Sequence, residues 1–268
     1  MEKSKLNVKK DNSVYYISLA VTLLIVLWGL LAPSNFEKVG NGVFSFLVNE
    51  FGWFYTLSMS SFVIFAVWIG FFSKYKDIRL GPDDSKPEYS NISWFAMLFS
   101  AGMGIGLVFW GAAEPLNHFM APLGLEAGTE AAKEFAVSKS FLHWGLHPWA
   151  NYSVLALALA YMQFRKNKPG LISSVFIPLL GEKVVSGWAG KLIDILAVFA
   201  TVAGVATSLG LGTYQINSGL NFLFGIPETS TVQILIVVFV TIAFMISAIT
   251  GLDKGIKFLS NLNVGIAA

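Results

Sequence analysis

Charged residues are so sparse along this chain that six long uncharged runs stand between them, at residues 14–32, 51–73, 92–113, 140–164, 195–223 and 229–251. Each is close to or above the ~20 apolar residues that a helix needs to cross a ~30 Å hydrocarbon core. The pattern predicts six transmembrane helices, the fourth holding histidines as its only titratable groups. Residues 171–181 form a shorter apolar run, which reads as interfacial or re-entrant. Residues 114–139 carry Glu126, Glu130 and Glu134 and predict a short external helix. The amphipathic stretch Asp253-Lys254-Gly255-Ile256-Lys257-Phe258-Leu259 predicts a surface helix or the start of a further span.

The third run contains Ser100-Ala101-Gly102-Met103-Gly104-Ile105-Gly106. Glycine costs a helix ~1 kcal/mol relative to alanine, so three alternating glycines at mid-span weaken it where it should be strongest. One reading is a helix broken at membrane depth, which is tolerated only where protein buries it or it lines a cavity. In secondary transporters such breaks hold substrate and coupling ion. The other reading is close packing through the Gly102–Gly106 GxxxG pair, which leaves Gly104 on the opposite face without a use. If the helix is broken, Gly104 is expected to adopt dihedrals that a side chain would resist.

A composition of 55% hydrophobic and 13% charged residues excludes a soluble domain. Fifteen of the 18 lysines and arginines fall in the N-terminal tail, the loops after spans two and four, and the C-terminal segment. The positive-inside rule therefore predicts that both ends of the chain are cytoplasmic. The net charge of +2 reflects this asymmetry and offers no surface for nucleic acid. Without cysteine, disulfides and thiolate metal sites are excluded.

Span four carries His143-Trp144-Gly145-Leu146-His147-Pro148-Trp149-Ala150-Asn151-Tyr152. On one continuous helix Trp144, Tyr152 and Trp149 would share a broad sector at about 0°, 80° and 140°, and Pro148 would kink the helix. Clustered aromatic faces suit a quaternary ammonium ion, which gains ~0.5–2 kcal/mol from each well-placed ring. An interfacial aromatic belt is the alternative. His143 and His147 stand at i and i+4 without an evident third ligand, which favours capping or packing over a metal site. In span five, Thr201, Thr207 and Ser208 offer hydroxyls either to a hard cation or back to their own helix.

Taken together these segments resemble the betaine/choline/carnitine transporter (BCCT) family, its glycine betaine members in particular. The resemblance rests on Ile78-Arg79-Leu80-Gly81, Lys86-Pro87-Glu88, the run Ser93–Gly106, and Trp110-Gly111-Ala112-Ala113-Glu114-Pro115-Leu116. It continues through His143–Ala150, Ser208-Leu209-Gly210-Leu211-Gly212 and Gly225-Ile226-Pro227-Glu228-Thr229. It implies an all-α integral membrane protein, the first half of a twelve-span inverted-repeat (LeuT-type) transporter. Residues 1–13 would be a cytoplasmic tail, 14–73 two peripheral helices and 74–91 a cytoplasmic loop. Residues 92–251 would be four helices of the first repeat, and 252–268 the entry to its fifth. The apolar stop at Gly265-Ile266-Ala267-Ala268 and the missing second repeat suggest a fragment, unable by itself to complete a transport cycle.

By the same resemblance, Trp144, Trp149 and Tyr152 match the aromatic cage, and Gly102, Met103 and Gly104 the unwound segment beside the substrate carboxylate. Gly106 stands where choline-preferring members tend to have an acid, which favours a zwitterion such as betaine. Ser100 and Met103 match backbone ligands of one sodium site and Thr201 a hydroxyl of a second. Val205 stands where sodium-coupled members often carry another hydroxyl. The expected function is Na⁺-coupled symport of glycine betaine or a related trimethylammonium solute by a plasma-membrane homotrimer, with no cofactor and no covalent chemistry. The alternatives are a Na⁺-independent carnitine/choline-type exchanger and a non-transporting osmosensor or binding subunit.

Overall fold

The computed structural model describes residues 12–102, 104–251 and 255–267. Among them every regular element is a helix. Among the described residues four helices are long and apolar enough to cross a membrane: Ser13–Leu31, Pro33–Phe72, Trp188–Phe224 and Ser230–Gly251. They contain the first, second, fifth and sixth uncharged runs almost whole. The third and fourth runs are each interrupted by a helix break. Apolar side chains cover the outside of the spanning helices. On Ser230–Gly251, for example, Phe239 is 73% and Ile249 80% exposed and no residue is buried. A helix that is apolar all round needs cover from lipid or from further protein.

Contacts divide the chain into two compact units, one built from residues up to Ser85 together with Trp144–Ala203, the other from Lys86–His143 and Gly204–Ala268.

In the first unit α1 (Ser13–Leu31) turns at Ala32 into α2 (Pro33–Val67), which ends in a π turn at Trp68–Phe72. Pro33 suits this start because the first helical position needs no N–H. Across the turn the Trp28 indole donates to Asn35 Oδ1 at 3.0 Å, and its ring meets Phe36 edge-on at 5.2 Å. The helix therefore begins well before the uncharged run at residue 51. Its polar first half, with Glu37, Lys38 and Glu50, stays helical. At ~1.5 Å per residue the element is about twice as long as a hydrocarbon core is thick.

Helix α2 also packs against α6 (Leu146–Ala160). Beyond α6, Arg165 reaches back to the loop after α2, donating to Gly81 O at 2.8 Å and Asp83 Oδ1 at 2.6 Å. The two basic loops of this unit therefore lie at the same end of it. The run at 171–181 folds as a 3-10 turn, Ile172–Phe176, followed by α7 (Ile177–Leu180). Gly181, at φ 80°, turns the chain into α8 (Glu182–Val185), a backbone conformation that side chains rarely adopt. Lys168 hydrogen-bonds Glu182 and holds its carboxyl below the usual range. Buried Asp194, on α9 (Trp188–Phe224), accepts from Ser173 N at 2.9 Å and Ser173 Oγ at 2.8 Å. One carboxylate thus fastens the short interfacial helices to the start of a long span.

In the second unit α3 (Asn91–Gly102) packs on α11 (Lys257–Ala267). Helices α4 (Ile105–Met120), α5 (Glu130–Trp144, its last residue falling in the first unit) and α10 (Ser230–Gly251) complete its main elements. The expected external helix is α5, which begins at Glu130 and runs on into the fourth uncharged run. Lys133 sits above its ordinary range because Glu130 accepts from it at 2.8 Å. At the C-terminal end the amphipathic stretch is helical from Lys257 onward, whose ammonium lies 5.5 Å from the Tyr89 ring centroid. Residues 252–254 lie outside the described residues.

Asp194→Ala should destabilise the protein by ~1–3 kcal/mol, because two buried donors on Ser173 lose their acceptor. Thermal unfolding in detergent measures this, and an unchanged midpoint would show that water replaces the carboxylate.

Candidate functional site

Two helix breaks carry the residues that the sequence singled out, one in each unit. The first separates α3 from α4. α3 ends at Gly102, α4 begins at Ile105, and Gly104 between them is extended, with φ −86° and ψ −157°. Met103, expected to serve both substrate and sodium, lies outside the described residues. The broken-helix reading of the glycine run is the one that the structure takes. The expected strain at Gly104 is absent, because these dihedrals are open to any residue and a Cβ there would meet nothing within 4 Å. Gly104 acts instead as the N-cap residue of α4, with no side-chain hydrogen bond to the cap. The first N–H groups of a helix have no partner within it, and Gly106 lies in that first turn. On the α3 side, Ser100 Oγ accepts from Asn263 Nδ2 at 3.2 Å and donates to Ser260 O at 3.4 Å. Its side chain ties α3 to α11.

The second break was expected at Pro148 and falls at Gly145, where φ is −86° and ψ −132°. Pro148 then occupies the first turn of α6, where an N–H is not required. This also overturns the single helical wheel, since Trp144 closes α5 while Trp149 and Tyr152 belong to α6. Proline has no N–H to offer the carbonyl of Trp144, four residues earlier. The indole of Trp149 supplies one, donating to Trp144 O at 3.1 Å. So held, the Trp149 ring meets Tyr152 edge-on, with centroids 6.3 Å apart and planes at 75°. Trp149 and Tyr152 are 37% and 50% exposed. Of the expected cage, the structure joins Trp149 and Tyr152 as a ring pair, and Trp144 as the carbonyl that positions Trp149.

Thr201, on α9, donates to Ala197 O at 2.8 Å. A hydroxyl that donates inside its own helix keeps its oxygen lone pairs for a cation. Thr201 lines a cavity of about 730 Å³ in the first unit, together with Ser18 and Thr22 of α1, Leu171 and Asp194.

A family model described as betaine/carnitine/choline family transporter matches residues 13–268. The chain belongs to this family. It is 52% identical over 261 residues to the glycine betaine transporter OpuD of Bacillus subtilis, covering 97% of this chain and 50% of that protein. A probable glycine betaine transporter of Desulfitobacterium hafniense is 49% identical, with 97% of this chain and 52% of that protein covered. An ectoine/hydroxyectoine transporter of Virgibacillus pantothenticus is 45% identical, with 99% and 52% covered. The chain thus spans about half the length of the curated relatives it matches. As a BCCT member it is an all-α membrane protein, and its family and these relatives are transporters.

Sequence reasoning missed the indole staple, whose signal was present in the spacing of a proline and a tryptophan four and five residues after Trp144. It also missed the partner of His143. The break at Gly145 separates His143 from His147, so the two are not successive on one helix. His143 Nδ1 instead meets Glu114, an acid 29 residues earlier.

Two substitutions separate these roles. Trp149→Phe keeps an aromatic face and removes the donor, so it should lower stability by ~0.5–1.5 kcal/mol, the net value of one hydrogen bond. Equal unfolding midpoints for the two proteins would show that the indole does not hold the break. Gly104→Ala should leave helix content unchanged and stability within ~0.5 kcal/mol, as at a site away from strain and close contact. A loss above ~2 kcal/mol would mean that the backbone there needs glycine after all.

Proposed function

We propose that this chain forms part of a secondary active transporter for a zwitterionic compatible solute, glycine betaine or a related trimethylammonium compound, coupled to Na⁺. The observation that carries the proposal is the Trp149–Tyr152 pair, two exposed rings at 75° beside a helix break, in a chain of the BCCT family. A quaternary ammonium cannot donate an N–H bond, so ring faces are the chemistry left to recognise it. A zwitterion also brings a carboxylate. The first turn of α4, around Gly104 and Gly106, has N–H groups without a partner inside the helix and the positive end of the helix dipole, which suit such an anion. No acidic side chain stands at Gly106 to serve as the countercharge that choline, lacking a carboxylate, would need. The names of the relatives support a zwitterion, two being glycine betaine transporters and one an ectoine/hydroxyectoine transporter.

Sodium enters this proposal through oxygen ligands, the backbone of Ser100 and Met103 and the hydroxyl of Thr201. The basic loops support a cytoplasmic N-terminus in the plasma membrane, by the positive-inside rule. By family resemblance the whole transporter is a homotrimer.

Uptake of labelled betaine and choline, by cells that lack other osmolyte carriers and express the gene encoding this chain, tests the proposal. Trp149→Leu should weaken the apparent affinity for betaine by about 5- to 30-fold, corresponding to ~1–2 kcal/mol of cation–π contact. Gly106→Asp should shift preference toward choline. Replacing external Na⁺ with K⁺ should abolish accumulation. Unchanged affinity in a well-expressed Trp149→Leu protein would return that ring to packing, and Na⁺-independent uptake would make the protein an exchanger.

A further inference from the structure

Apart from the two breaks, the second unit contains a cluster that the transport reading does not use. Glu114 and His118 stand one turn apart on α4, and His143 lies near the end of α5. His118 Nε2 and His143 Nδ1 both approach the same carboxylate oxygen of Glu114, the first at 3.4 Å. The two rings are 5.6 Å apart, centroid to centroid, and one ligand atom from each of the three residues lies within 4.8 Å of the others. The cluster is graded from inside to outside, with side-chain exposures of 10% for Glu114, 26% for His118 and 50% for His143. Phe135 closes one side, edge-on to His118 at 5.9 Å, and carries the Lys139 ammonium on its own ring, 5.7 Å from the centroid.

We propose that Glu114, His118 and His143 form a binding site for a divalent transition-metal ion of the Zn²⁺ class. Two imidazoles and a carboxylate are a recurrent three-ligand zinc set that leaves a fourth position for water. Ligand atoms at ~2.0–2.1 Å from a tetrahedral ion stand about 3.3 Å from each other, close to the His118–Glu114 separation. The His143 side must open slightly. It is the most exposed of the three, and it provides the entry path. To bind the metal, each neutral ring carries its N–H on the nitrogen that faces away from Glu114 and offers the lone pair of the nearer nitrogen, while the carboxylate of Glu114 offers an oxygen. The ion would clamp α4 to α5, the two elements joined by the 121–129 connection. This inference is independent of which solute is carried.

The chain has three histidines and no cysteine, so the test is clean. The 268-residue chain is purified in detergent without a polyhistidine tag and titrated with Co²⁺, followed by Zn²⁺ competition. One equivalent of Co²⁺ should give the intense visible bands of tetrahedral coordination, Zn²⁺ should displace it, and Zn²⁺ should raise the unfolding midpoint. His143→Gln and Glu114→Gln should each weaken binding by at least about tenfold, since loss of even an outer-shell partner costs ~10–100-fold. His147→Gln should leave it unchanged. His143, being half exposed, is the variant least able to disturb folding. Absence of the bands and of any thermal shift, or binding equally strong in His143→Gln, would reduce the cluster to a hydrogen-bonded packing contact.

Discussion

The structure depends on one constraint: in hydrocarbon every backbone N–H and C=O must find a partner inside the protein. Four of the six uncharged runs meet it as unbroken helices. The other two do not, and their departures are where the recognisable chemistry lies. At Gly145 the break is closed locally. Pro148 withholds an N–H from the carbonyl of Trp144, and the indole of Trp149 provides one instead. The same bond that satisfies the backbone fixes the ring against Tyr152. At Gly104 the opposite choice is made. The cap residue has no side chain to offer the first turn of α4. The first N–H groups of a helix have no partner within it, and in secondary transporters interrupted helices of this kind line binding sites.

A few polar contacts hold each unit in place around these breaks. In the first unit, Asp194 binds Ser173 twice and Arg165 reaches Gly81 and Asp83, so a buried carboxylate anchors the short helices after residue 171 and a guanidinium anchors the loop after α2. In the second, Ser100 is hydrogen-bonded to two residues of α11, which pins the end of α3 immediately before the break. In a membrane, adjacent apolar helix faces have no reason to prefer each other over acyl chains. Specific polar contacts therefore decide more of the arrangement than they would in a water-soluble protein.

How legible this was in the sequence depended on whether the signal was local. Uncharged runs gave the helices because length and apolarity are enough to define a span, and the alternating glycines gave the first break because helix propensity is a local property. The second break was placed three residues too late. Proline attracted the kink, yet a proline in the first turn of a new helix costs nothing, and the glycine before it is the better place to end the old one. The long polar extension of α2 before residue 51 was invisible to a hydropathy pattern, which sees the membrane and not the helix. Contacts made across sequence distance left no trace at all. Glu114 and His143 are 29 residues apart, Arg165 and Asp83 82 apart, and nothing in their neighbourhoods announces the other. The strain imagined for Gly104 came from glycine's reputation and not from the fold, whose extended backbone there any residue could adopt.

Amide hydrogen exchange, resolved by residue in detergent or nanodiscs, tests the central claim that both spans are interrupted. The amides of Ile105, Gly106 and Leu146, at the starts of α4 and α6, should exchange orders of magnitude faster than those in the middle of α10, which are bonded within an unbroken helix. Protection of Ile105, Gly106 and Leu146 equal to that of α10 would mean that the helices run through and that the account of the two breaks is wrong.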